Sequence, residues 1–260
     1  MSTSRNNQEP FSAEISVWPD RLERAISGTI FDRVRVVSEC DSTQDVAREL
    51  GIGSVVTTAR QVAGRGRPGN DWQHGEGAGV ALSVVVEARN PAILSTASVL
   101  AVLDALDIIT GSQSFMGAKF PNDVIHPDGR KLAGVLIEGD VLQSVIGIGV
   151  NVNASAATAG LGAVSMEEIG LNSTRIEVME TLIACLVKRL HASQEELSRE
   201  FSMRHLLLGG QVEVVIGGRN IQGVLVSADP FGELMIESSE GMISIPAAQA
   251  RLRGWSLPSA

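Results

Sequence analysis

The chain has 260 residues, of which 44% are hydrophobic and 20% are charged, a composition typical of a globular protein with a sizeable core. Its formal net charge of −9 argues against a general nucleic-acid binder, because contacts to phosphates require an excess of Lys and Arg. The cysteines Cys40 and Cys185 lie far apart without a CxxC spacing, so they predict neither a disulfide framework nor a zinc site.

The start of the chain is polar and predicts no targeting segment. Residues 1–10 lack the apolar stretch of a signal peptide, and we expect no segment with the roughly 18 apolar residues that a membrane span requires. These features predict a cytoplasmic protein without a membrane partner. Residues 1–16 are expected to form a disordered tail, too short for a separate DNA-binding domain.

In the first half of the chain, strand and helix signals alternate without a regular repeat. A short helix is expected to begin after Asp41 and end at Gly51, with Ser42 or Thr43 as its N-cap. Residues 92–109 predict a long apolar core helix. The predicted strands of this half lie at residues 33–37, 55–60 and 80–86.

Turn and capping signals organise the next part of the chain. Because proline cannot donate a backbone hydrogen bond within a sheet, Pro121 predicts that the segment around it is a strand end or a loop. Residues 126–129, His-Pro-Asp-Gly, predict a turn, and the pair at 139–140 between two apolar runs predicts a β-hairpin. A capping box at residues 174–177 begins a helix that we expect to continue to about Ser202.

The character of the sequence changes near residue 206. Four short strands separated by glycine-containing turns predict a small barrel of about 50 residues that packs on the larger domain. The expected division is a tail at 1–16, a main domain at 17–205 and the barrel at 206–256. The barrel strands are expected at 212–216, 223–226, 233–236 and 242–245.

A glycine- and arginine-rich loop follows the second predicted strand. Its residues 64–69 spell GxGxxG, but a dinucleotide fingerprint must open a helix, and this loop stays glycine-rich up to Gly79. Glycines flank Arg65 and precede Arg67, so the two guanidinium groups can close over a carboxylate or phosphate through bidentate hydrogen bonds. The loop therefore predicts an anion-binding lid.

Four further positions have both a structural and a functional interpretation. Trp72 is either a core aromatic residue or a platform for a purine base. Lys131 is either a solvated strand-end lysine or a cation that neutralises a phosphate oxygen in a transition state. Asn122 and Asn151 are either turn or strand-end residues or ligand-binding ones. The sequence contains no P-loop, no GxSxG elbow and no metal-type spacing of histidines.

Taken in chain order, these segments resemble the biotin protein ligase family. The resemblance extends over residues 30 to 155 approximately, and it rests on several motifs in the family's order rather than on any single one. The matching segments are Asp41-Ser42-Thr43, Gln61-X-Ala63-Gly64-Arg65-Gly66-Arg67, Trp72, Lys119-Phe120-Pro121-Asn122-Asp123, Gly129-Arg130-Lys131-Leu132-Ala133-Gly134-Val135-Leu136-X-Glu138 and Gly147-Ile148-Gly149-Val150-Asn151-Val152-Asn153.

The resemblance implies an α+β fold, with a mixed sheet flanked by helices as in class II aminoacyl-tRNA synthetases, and an SH3-like barrel at the C-terminal end. It also implies a two-step ligase reaction. The carboxylate of biotin attacks the α-phosphate of ATP to give biotinyl-5′-AMP and pyrophosphate, and a lysine of a biotin carboxyl carrier protein then displaces AMP. The implied cofactors are ATP and Mg²⁺, and the implied oligomeric state is a monomer or a homodimer.

The resemblance also implies roles for individual residues. Arg67 and Lys131 would be catalytic, because they would hold the biotin carboxylate and the α-phosphate. The biotin-binding residues would be Ser42, Thr43, Gln44, Gln61, Arg65, Gly66, Arg67, Lys131 and Gly134. The nucleotide-binding residues would be Arg67, Trp72, Asn122, Lys131 and Asn151. No metal ligands are implied.

Three departures from the family pattern occur at otherwise matching positions. Residues 68–70 are Pro-Gly-Asn instead of further loop arginines, Phe120 replaces a tryptophan, and Gln44 replaces an asparagine. Some members of the family repress transcription through an N-terminal helix-turn-helix domain, and we expect none here. The alternatives to a biotin ligase are a lipoate-type protein ligase or acyltransferase on the same scaffold, and a non-catalytic biotin-binding module.

Overall fold

The structure is a computed structural model that describes residues 14–66, 72, 77–154 and 162–258. It contains a seven-stranded sheet, and helices follow its first and third strands along the chain. The strands are β1 (Arg33–Cys40), β2 (Ser54–Gln61), β3 (Gly79–Glu87), β4 (Gly117–Lys119), β5 (Asp123–Ile125), β6 (Lys131–Gly139) and β7 (Gln143–Asn151). Their order across the sheet is β1-β2-β3-β7-β6-β5-β4.

The sheet is mixed, because β1 and β2 pair in parallel while the remaining neighbours pair antiparallel. The helices that flank it are α1 (Trp18–Ile26), α2 (Thr43–Leu50), α3 (Pro91–Thr110), α4 (Arg175–Leu190) and α5 (Gln194–Met203). The predicted α+β architecture of a mixed sheet flanked by helices is thus confirmed. The predicted N-cap is also confirmed, since the Ser42 hydroxyl accepts a hydrogen bond from the backbone N–H of Gln44.

The two faces of the sheet carry unequal helical layers. The main core lies on the side of α3, which packs against α4 and α5. The opposite face is covered near its centre by α2, where a small cluster of fully buried residues forms a second apolar contact. That cluster consists of Ala47, Val56, Val85 and Val145.

Helix α3 is the one described helix that is long and apolar enough to cross a membrane, so the expectation that no segment would meet that criterion is wrong. The structure nevertheless gives α3 the predicted role of a core helix. Leu94, Leu100 and Leu103 are completely buried against the sheet and the neighbouring helices. Only length and composition relate this helix to a membrane span.

The structure places a helical turn within the last residues of the predicted tail. Residues 1–13 lie outside the described residues, but residues 14–16 form a helical turn ahead of α1 instead of belonging to a disordered tail. The physical reason is an ion pair between Glu14 and Arg175, whose guanidinium is 1% exposed and lies over the ring of Trp18. Such a charge is costly to bury without a partner.

Two local predictions need correction. The capping box formed by Thr174 and Glu177 is present, but the helix it begins ends at Leu190 rather than near Ser202. A second helix, α5, follows after Ser193, whose hydroxyl accepts a hydrogen bond from the N–H of Glu196. The hairpin predicted at residues 139–140 has a longer turn, since β6 ends at 139 and β7 begins at 143.

The C-terminal residues form a second, five-stranded antiparallel sheet. Its strands are β8 (Gln211–Ile216), β9 (Arg219–Ala228), β10 (Glu233–Ser238), β11 (Gly241–Pro246) and β12 (Arg251–Trp255). Their order across the sheet is β11-β10-β9-β8-β12. Four strands occur where the sequence predicts them, and the fifth, β12, was not predicted. Apolar side chains of this sheet, including Val214 and Ile236, belong to the same continuous core as the first sheet.

Candidate functional site

The candidate site is a cavity over the middle of the seven-stranded sheet, on the face that α2 covers. The strand register places small residues side by side beneath it. In one row, Ala81 of β3, Gly149 of β7, Gly134 of β6 and Asp123 of β5 are direct neighbours across the sheet. In the next row, the neighbours are Ser83 of β3, Gly147 of β7 and Leu136 of β6.

The glycines of this floor make room for larger side chains that lie across it. A Cβ atom added to Gly147 would overlap the amide of Gln44, and one added to Gly149 would overlap the indole ring of Trp72. A Cβ atom on Gly134 would lie 2.7 Å from Nζ of Lys131. At Gly147 and Gly149 glycine therefore serves close approach rather than backbone conformation, whereas at Gly134 the flexible end of Lys131 could move aside.

One end of the cavity presents neutral hydrogen-bonding groups. Oε1 of Gln61 accepts hydrogen bonds from the backbone N–H of Thr43 at 2.9 Å and from its hydroxyl at 3.2 Å. The Thr43 hydroxyl also lies 2.8 Å from the hydroxyl of Ser83. Ser42 lines the same end. The sequence predicts Ser42, Thr43 and Gln61 as ligand-binding residues, and the structure brings all three together.

Gln44 lies beside this polar end with an unsatisfied acceptor. Its Nε2 donates a hydrogen bond to the carbonyl oxygen of Leu136 at 3.1 Å, while its Oε1 is buried and has no partner in the structure. Because a buried polar atom without a partner costs free energy, Oε1 is suited to accept a hydrogen bond from a ligand. The side chain that departs from the family pattern thus lines the cavity.

The base of the Gly/Arg loop is closed by a hydrogen bond from the N–H of Trp72 to the carbonyl oxygen of Gly64, at 2.9 Å. A Cβ atom at Gly64 would overlap both the Gln61 amide and the Trp72 carbonyl oxygen. Gly66 lines the cavity. Arg67 and the departure at residues 68–70 lie outside the described residues.

Arg65 lines the cavity, but its guanidinium is held by carboxylates outside it. It forms a bidentate pair with Asp45 of α2, with both N–O distances at 2.7 Å, and it also contacts Glu138 of β6 at 3.2 Å. Arg48 shares Glu138. The hydrogen bonds from Arg65 hold the pKa of Asp45 below its usual value. This network fixes the start of the loop to the helix beneath it.

The other end of the cavity is cationic. The carboxylate of Asp123 lies between two ammonium groups, with Oδ2 at 2.6 Å from Nζ of Lys119 and Oδ1 at 2.6 Å from Nζ of Lys131. Burial pushes the pKa of Asp123 upward, but the charges of Lys131 and Lys119 outweigh it and keep the pKa below its usual value. The group of three therefore has a net charge of +1.

Trp72 lies over the cationic end. Nζ of Lys131 is 5.3 Å from the centroid of its ring, within the range of a cation–π contact. Its indole Nε1 is buried and has no hydrogen-bond partner among the described residues. A second ring can stack on the open face of such an indole, so the structure is compatible with the predicted platform for a base.

The two asparagines predicted to bind a nucleotide have different positions. Asn122 lines the cavity, although its side-chain amide donates to the carbonyl oxygen of Val135. Asn151 is buried beneath the site, where its amide donates to the carbonyl oxygens of Lys131 and Val164. Asn151 thus contacts the backbone of Lys131 and is not among the residues that line the cavity.

The second sheet contributes to the cationic end. Leu252 of β12 lines the cavity, and Nζ of Lys119 lies 5.3 Å from the centroid of the Trp255 ring. Trp255 also packs against Gly129, which adopts a positive φ of 91° in the predicted turn. Residues more than 100 positions apart in the sequence therefore meet at this end.

The part of the chain that the structure describes contains no group of three or more His, Cys, Asp or Glu side chains able to hold a metal ion. The carboxylate of the cavity, Asp123, is already neutralised by two lysines.

The arrangement suits a ligand that has a neutral polar head at one end and an anionic group at the other. The sequence singles out ten of the residues that line the cavity, but not Ser83, Leu252 or Asp123 as the bridge between two lysines. It also does not single out Asp45, which holds Arg65 from outside the wall. The matching motifs include Lys119 and Asp123, so a signal for that pair was present. Ser83 and Leu252 lie in strands without any local signal.

Comparison with known proteins identifies the family. A family model described as "Biotin/lipoate A/B protein ligase family" matches residues 31–152. The biotin–[acetyl-CoA-carboxylase] ligase of Paracoccus denitrificans is 30% identical over 242 residues, which cover 84% of this chain and 100% of that protein. The bifunctional ligase/repressor BirA of Bacillus subtilis is 28% identical over 237 residues, which cover 81% of this chain and 71% of that protein.

Among solved structures, the biotin protein ligase of Aquifex aeolicus in complex with biotin and ATP superposes with a TM-score of 0.76 at 30% sequence identity. The match covers 86% of this chain and 99% of the Aquifex chain. The chain therefore belongs to the biotin/lipoate A/B protein ligase family.

Proposed function

We propose that this chain is an ATP-dependent biotin protein ligase, which activates biotin as biotinyl-5′-AMP and transfers it to a lysine of a biotin carboxyl carrier protein. The observation that carries the proposal is the polarity of the cavity. Neutral groups of Thr43 and Gln61 lie at one end and the pair Lys119 and Lys131 at the other. Biotin has a neutral ureido head and a carboxylate tail, and it fits this order.

In the first step two anions must meet, because a carboxylate oxygen attacks the α-phosphorus while the bond to the leaving pyrophosphate breaks. We assign Lys131 to the region where they meet, since its ammonium lies between Asp123 and the Trp72 ring at the cationic end. A fixed cation at that position stabilises the charge that develops in the transition state. Arg67 is assigned to the same role from the family pattern.

The remaining residues are assigned to the two substrates. Ser42, Thr43, Gln44 and Gln61 would bind the ureido head, and Gln44 offers its unpartnered Oε1 there. Arg65, Gly66 and Gly134 would flank the biotin chain. Trp72 and Asn122 would contact the nucleotide, and Asn151 would lie near it, with its side-chain amide donating to the backbone carbonyl oxygen of Lys131.

In the second step the ε-amino group of a carrier lysine attacks the acyl carbon of the adenylate. A C–N bond forms, the C–O bond to the phosphate breaks, AMP leaves and the amine loses a proton. Since water would hydrolyse the same anhydride, a loop that covers the site protects it. The ion pairs of Arg65 with Asp45 and Glu138 anchor the described start of that loop.

Mg²⁺ belongs to the proposal as the counter-ion of the ATP phosphates, whose charge it would partly neutralise. The described residues supply no set of metal ligands of their own, so no step of this proposal is assigned to a protein-bound metal.

The proposal includes a division into a catalytic domain at 17–205 and an SH3-like domain at 206–256. The five-stranded antiparallel sheet and its strand lengths support the latter. We also propose that the enzyme acts in the cytoplasm, since its reaction consumes ATP. Its proposed oligomeric state is a monomer or a homodimer. The net charge of −9 supports a carrier protein rather than DNA as its macromolecular partner.

The test is incubation of the protein with biotin, Mg·ATP and a carrier domain, followed by mass spectrometry of the carrier. We expect one biotinyl group on the wild-type carrier, and none when ATP is omitted or when the acceptor lysine of the carrier is replaced by arginine. Absence of carrier labelling together with absence of biotin-dependent ATP–pyrophosphate exchange would refute the proposal.

The same assay separates the alternatives. A lipoate-type ligase would exchange pyrophosphate with lipoate and not with biotin. A non-catalytic module would bind biotin in calorimetry without any exchange. The intact pair Lys131 and Asp123 favours the enzyme, because an ammonium group held at the cationic end of the cavity can stabilise the charge on a reacting phosphate.

A further inference from the structure

His205 is a buried titratable side chain outside the wall of the cavity. It follows α5 and precedes the second sheet, and 5% of its surface is exposed. Nε2 of its ring accepts a hydrogen bond from the backbone N–H of Phe120 at 3.0 Å, while Nδ1 lies 3.3 Å from the backbone N of Leu207. Phe201 packs edge-on against the ring at 5.5 Å between centroids.

The segment around His205 is attached to the seven-stranded sheet by backbone hydrogen bonds. The N–H of Ala118 donates to the carbonyl oxygen of Arg204 at 2.8 Å, and the N–H of Leu206 donates to the carbonyl oxygen of Ala118 at 2.9 Å. The chain then enters β8 of the second sheet. His205 therefore lies where the second sheet joins the edge strand β4.

The N–H that His205 accepts belongs to the turn carrying the cationic end of the site. Residues 119–123 are consecutive and all line the cavity. The far end of this turn is held by Asn122, whose backbone carbonyl accepts from Val135 at 2.9 Å. The near end depends on His205, since Phe120 is adjacent to Lys119 and its amide is otherwise directed into a buried region.

We propose that His205 is a positioning residue for the adenylation step: its Nε2 lone pair fixes the Phe120 amide and thereby the place of Lys119 and Asp123 relative to the nucleotide. This inference rests on the proposed ligase function. The proposal means that the contact of the second sheet with β4, where His205 lies, affects how the enzyme uses ATP. The biotin end of the cavity is held by α2 and β2 and does not depend on this contact.

The experiment compares two substitutions that each place an amide oxygen at the position of one ring nitrogen, of which Nε2 is the acceptor in the neutral ring. In His205→Gln, Oε1 can reach the position of Nε2 and accept from Phe120. In His205→Asn, the shorter side chain reaches only the position of Nδ1, near Leu207. The matched control is His191→Asn, because His191 is an exposed histidine at the end of α4 with no contact to the turn.

For His205→Asn we expect kcat/KM for ATP in biotin-dependent pyrophosphate exchange to fall by about tenfold, the effect of one lost buried hydrogen bond. The Kd for biotin without nucleotide should stay within about twofold of the wild-type value. His205→Gln should remain within about threefold of wild type in both measurements, and His191→Asn should not differ from it.

A readout that does not depend on activity is amide hydrogen exchange of the Phe120 segment, measured by mass spectrometry. We expect faster exchange in His205→Asn and wild-type exchange in His205→Gln. Equal losses in the two variants, or parallel losses of biotin and ATP parameters, would overturn the proposal, since they indicate general loosening of the fold.

If His205→Asn does not fold, the test uses His205→Gln alone. Faster amide exchange at Phe120 in that variant than in the wild type would then overturn the proposal. Absence of pyrophosphate exchange in the wild-type protein would refute the ligase function instead. The exchange pattern at Phe120 would still report whether the hydrogen bond from His205 fixes the turn.

Discussion

Oδ1 of Asp123 lies 2.6 Å from Nζ of Lys131, and the second oxygen of the same carboxylate lies 2.6 Å from Nζ of Lys119. One buried carboxylate thus orients two ammonium groups at the end of the cavity where phosphate is expected. It also neutralises only one of the two positive charges. The site keeps a fixed cation for an incoming anion and does not leave two like charges unpaired.

Replacement of Asp123 by asparagine tests this arrangement. The shape is kept, but two ammonium groups lose their partner, so we expect the free energy of unfolding to fall by about 3 kcal/mol, at the low end for a broken buried pair. We choose the low end of that range because the side chain of Lys131 is 35% exposed, so water partly screens its charge. Urea denaturation measures it, with the exposed Asp128→Asn as the control.

The same Asp123 variant should bind pyrophosphate more tightly than the wild type, because the cationic end gains one positive charge. Adenylate formation should nevertheless slow, since Lys131 is no longer held in place. Calorimetry with pyrophosphate and the exchange assay measure these two effects. Unchanged stability together with unchanged pyrophosphate affinity would contradict the assigned role of the carboxylate.

For Lys131→Ala we expect biotin-dependent pyrophosphate exchange to fall by about 10²–10³-fold, as for the loss of one group that stabilises transition-state charge. The fold should survive, because Lys119 still neutralises Asp123. Lys188 is the remaining lysine of the chain and is exposed on α4, so Lys188→Ala is the matched control. A Lys131 variant with more than a tenth of wild-type turnover would show that this lysine does not face the reacting phosphate.

Much of the fold is predictable from the sequence because its signals are local. The N-cap at Ser42, the capping box at residues 174–177 and the turn at 126–129 each depend on a few neighbouring residues. The break between α4 and α5 was missed because apolar periodicity continues across it. Strand β12 was missed because Arg-Leu-Arg-Gly-Trp contains no β-branched residue.

Only those residues of the candidate site that lie in sequence motifs can be predicted from the sequence. Thr43, Gln61 and Lys131 lie in recognisable segments, and the structure brings them to one cavity. The partners of those residues depend on tertiary structure. Asp45 reaches Arg65 because α2 packs beneath the loop, and Leu252 reaches the cavity because the second sheet shares the core of the first.

Two glycines of β7 separate the two ends of the cavity, so their substitution should affect the two substrates differently. Gly147→Ala should displace Gln44 and weaken biotin binding, while Gly149→Ala should displace Trp72 and weaken ATP binding. Overpacking of this kind should lower each affinity by about tenfold or more. Calorimetry with biotin and with a non-hydrolysable ATP analogue measures both.

The control for this pair is Gly254→Ala on β12, where an added Cβ atom meets only ordinary contacts at 3.4 Å. Equal losses of both affinities in Gly147→Ala and Gly149→Ala would contradict the assignment of one end to biotin and the other to the nucleotide.

The stability of the protein should depend on pH through His205. Burial, and to a lesser extent the charge of Lys119, lowers the pKa of His205 from 6.5 to about 4. The unfolded chain therefore binds a proton below about pH 6.5 that the folded protein does not accept until about pH 4. The stabilising contribution is complete above pH 6.5 and is lost as the pH falls towards 4.

Between pH 7 and 4.5 this loss amounts to about 2 kcal/mol of the free energy of unfolding. Urea denaturation at the two pH values measures it, and His205→Gln is the reference because all carboxylates are common to both proteins. The wild type should lose more stability than His205→Gln by that amount. Equal losses in the two proteins would mean that the folded protein accommodates a protonated His205, and the neutral ring could then not be what holds the Phe120 amide.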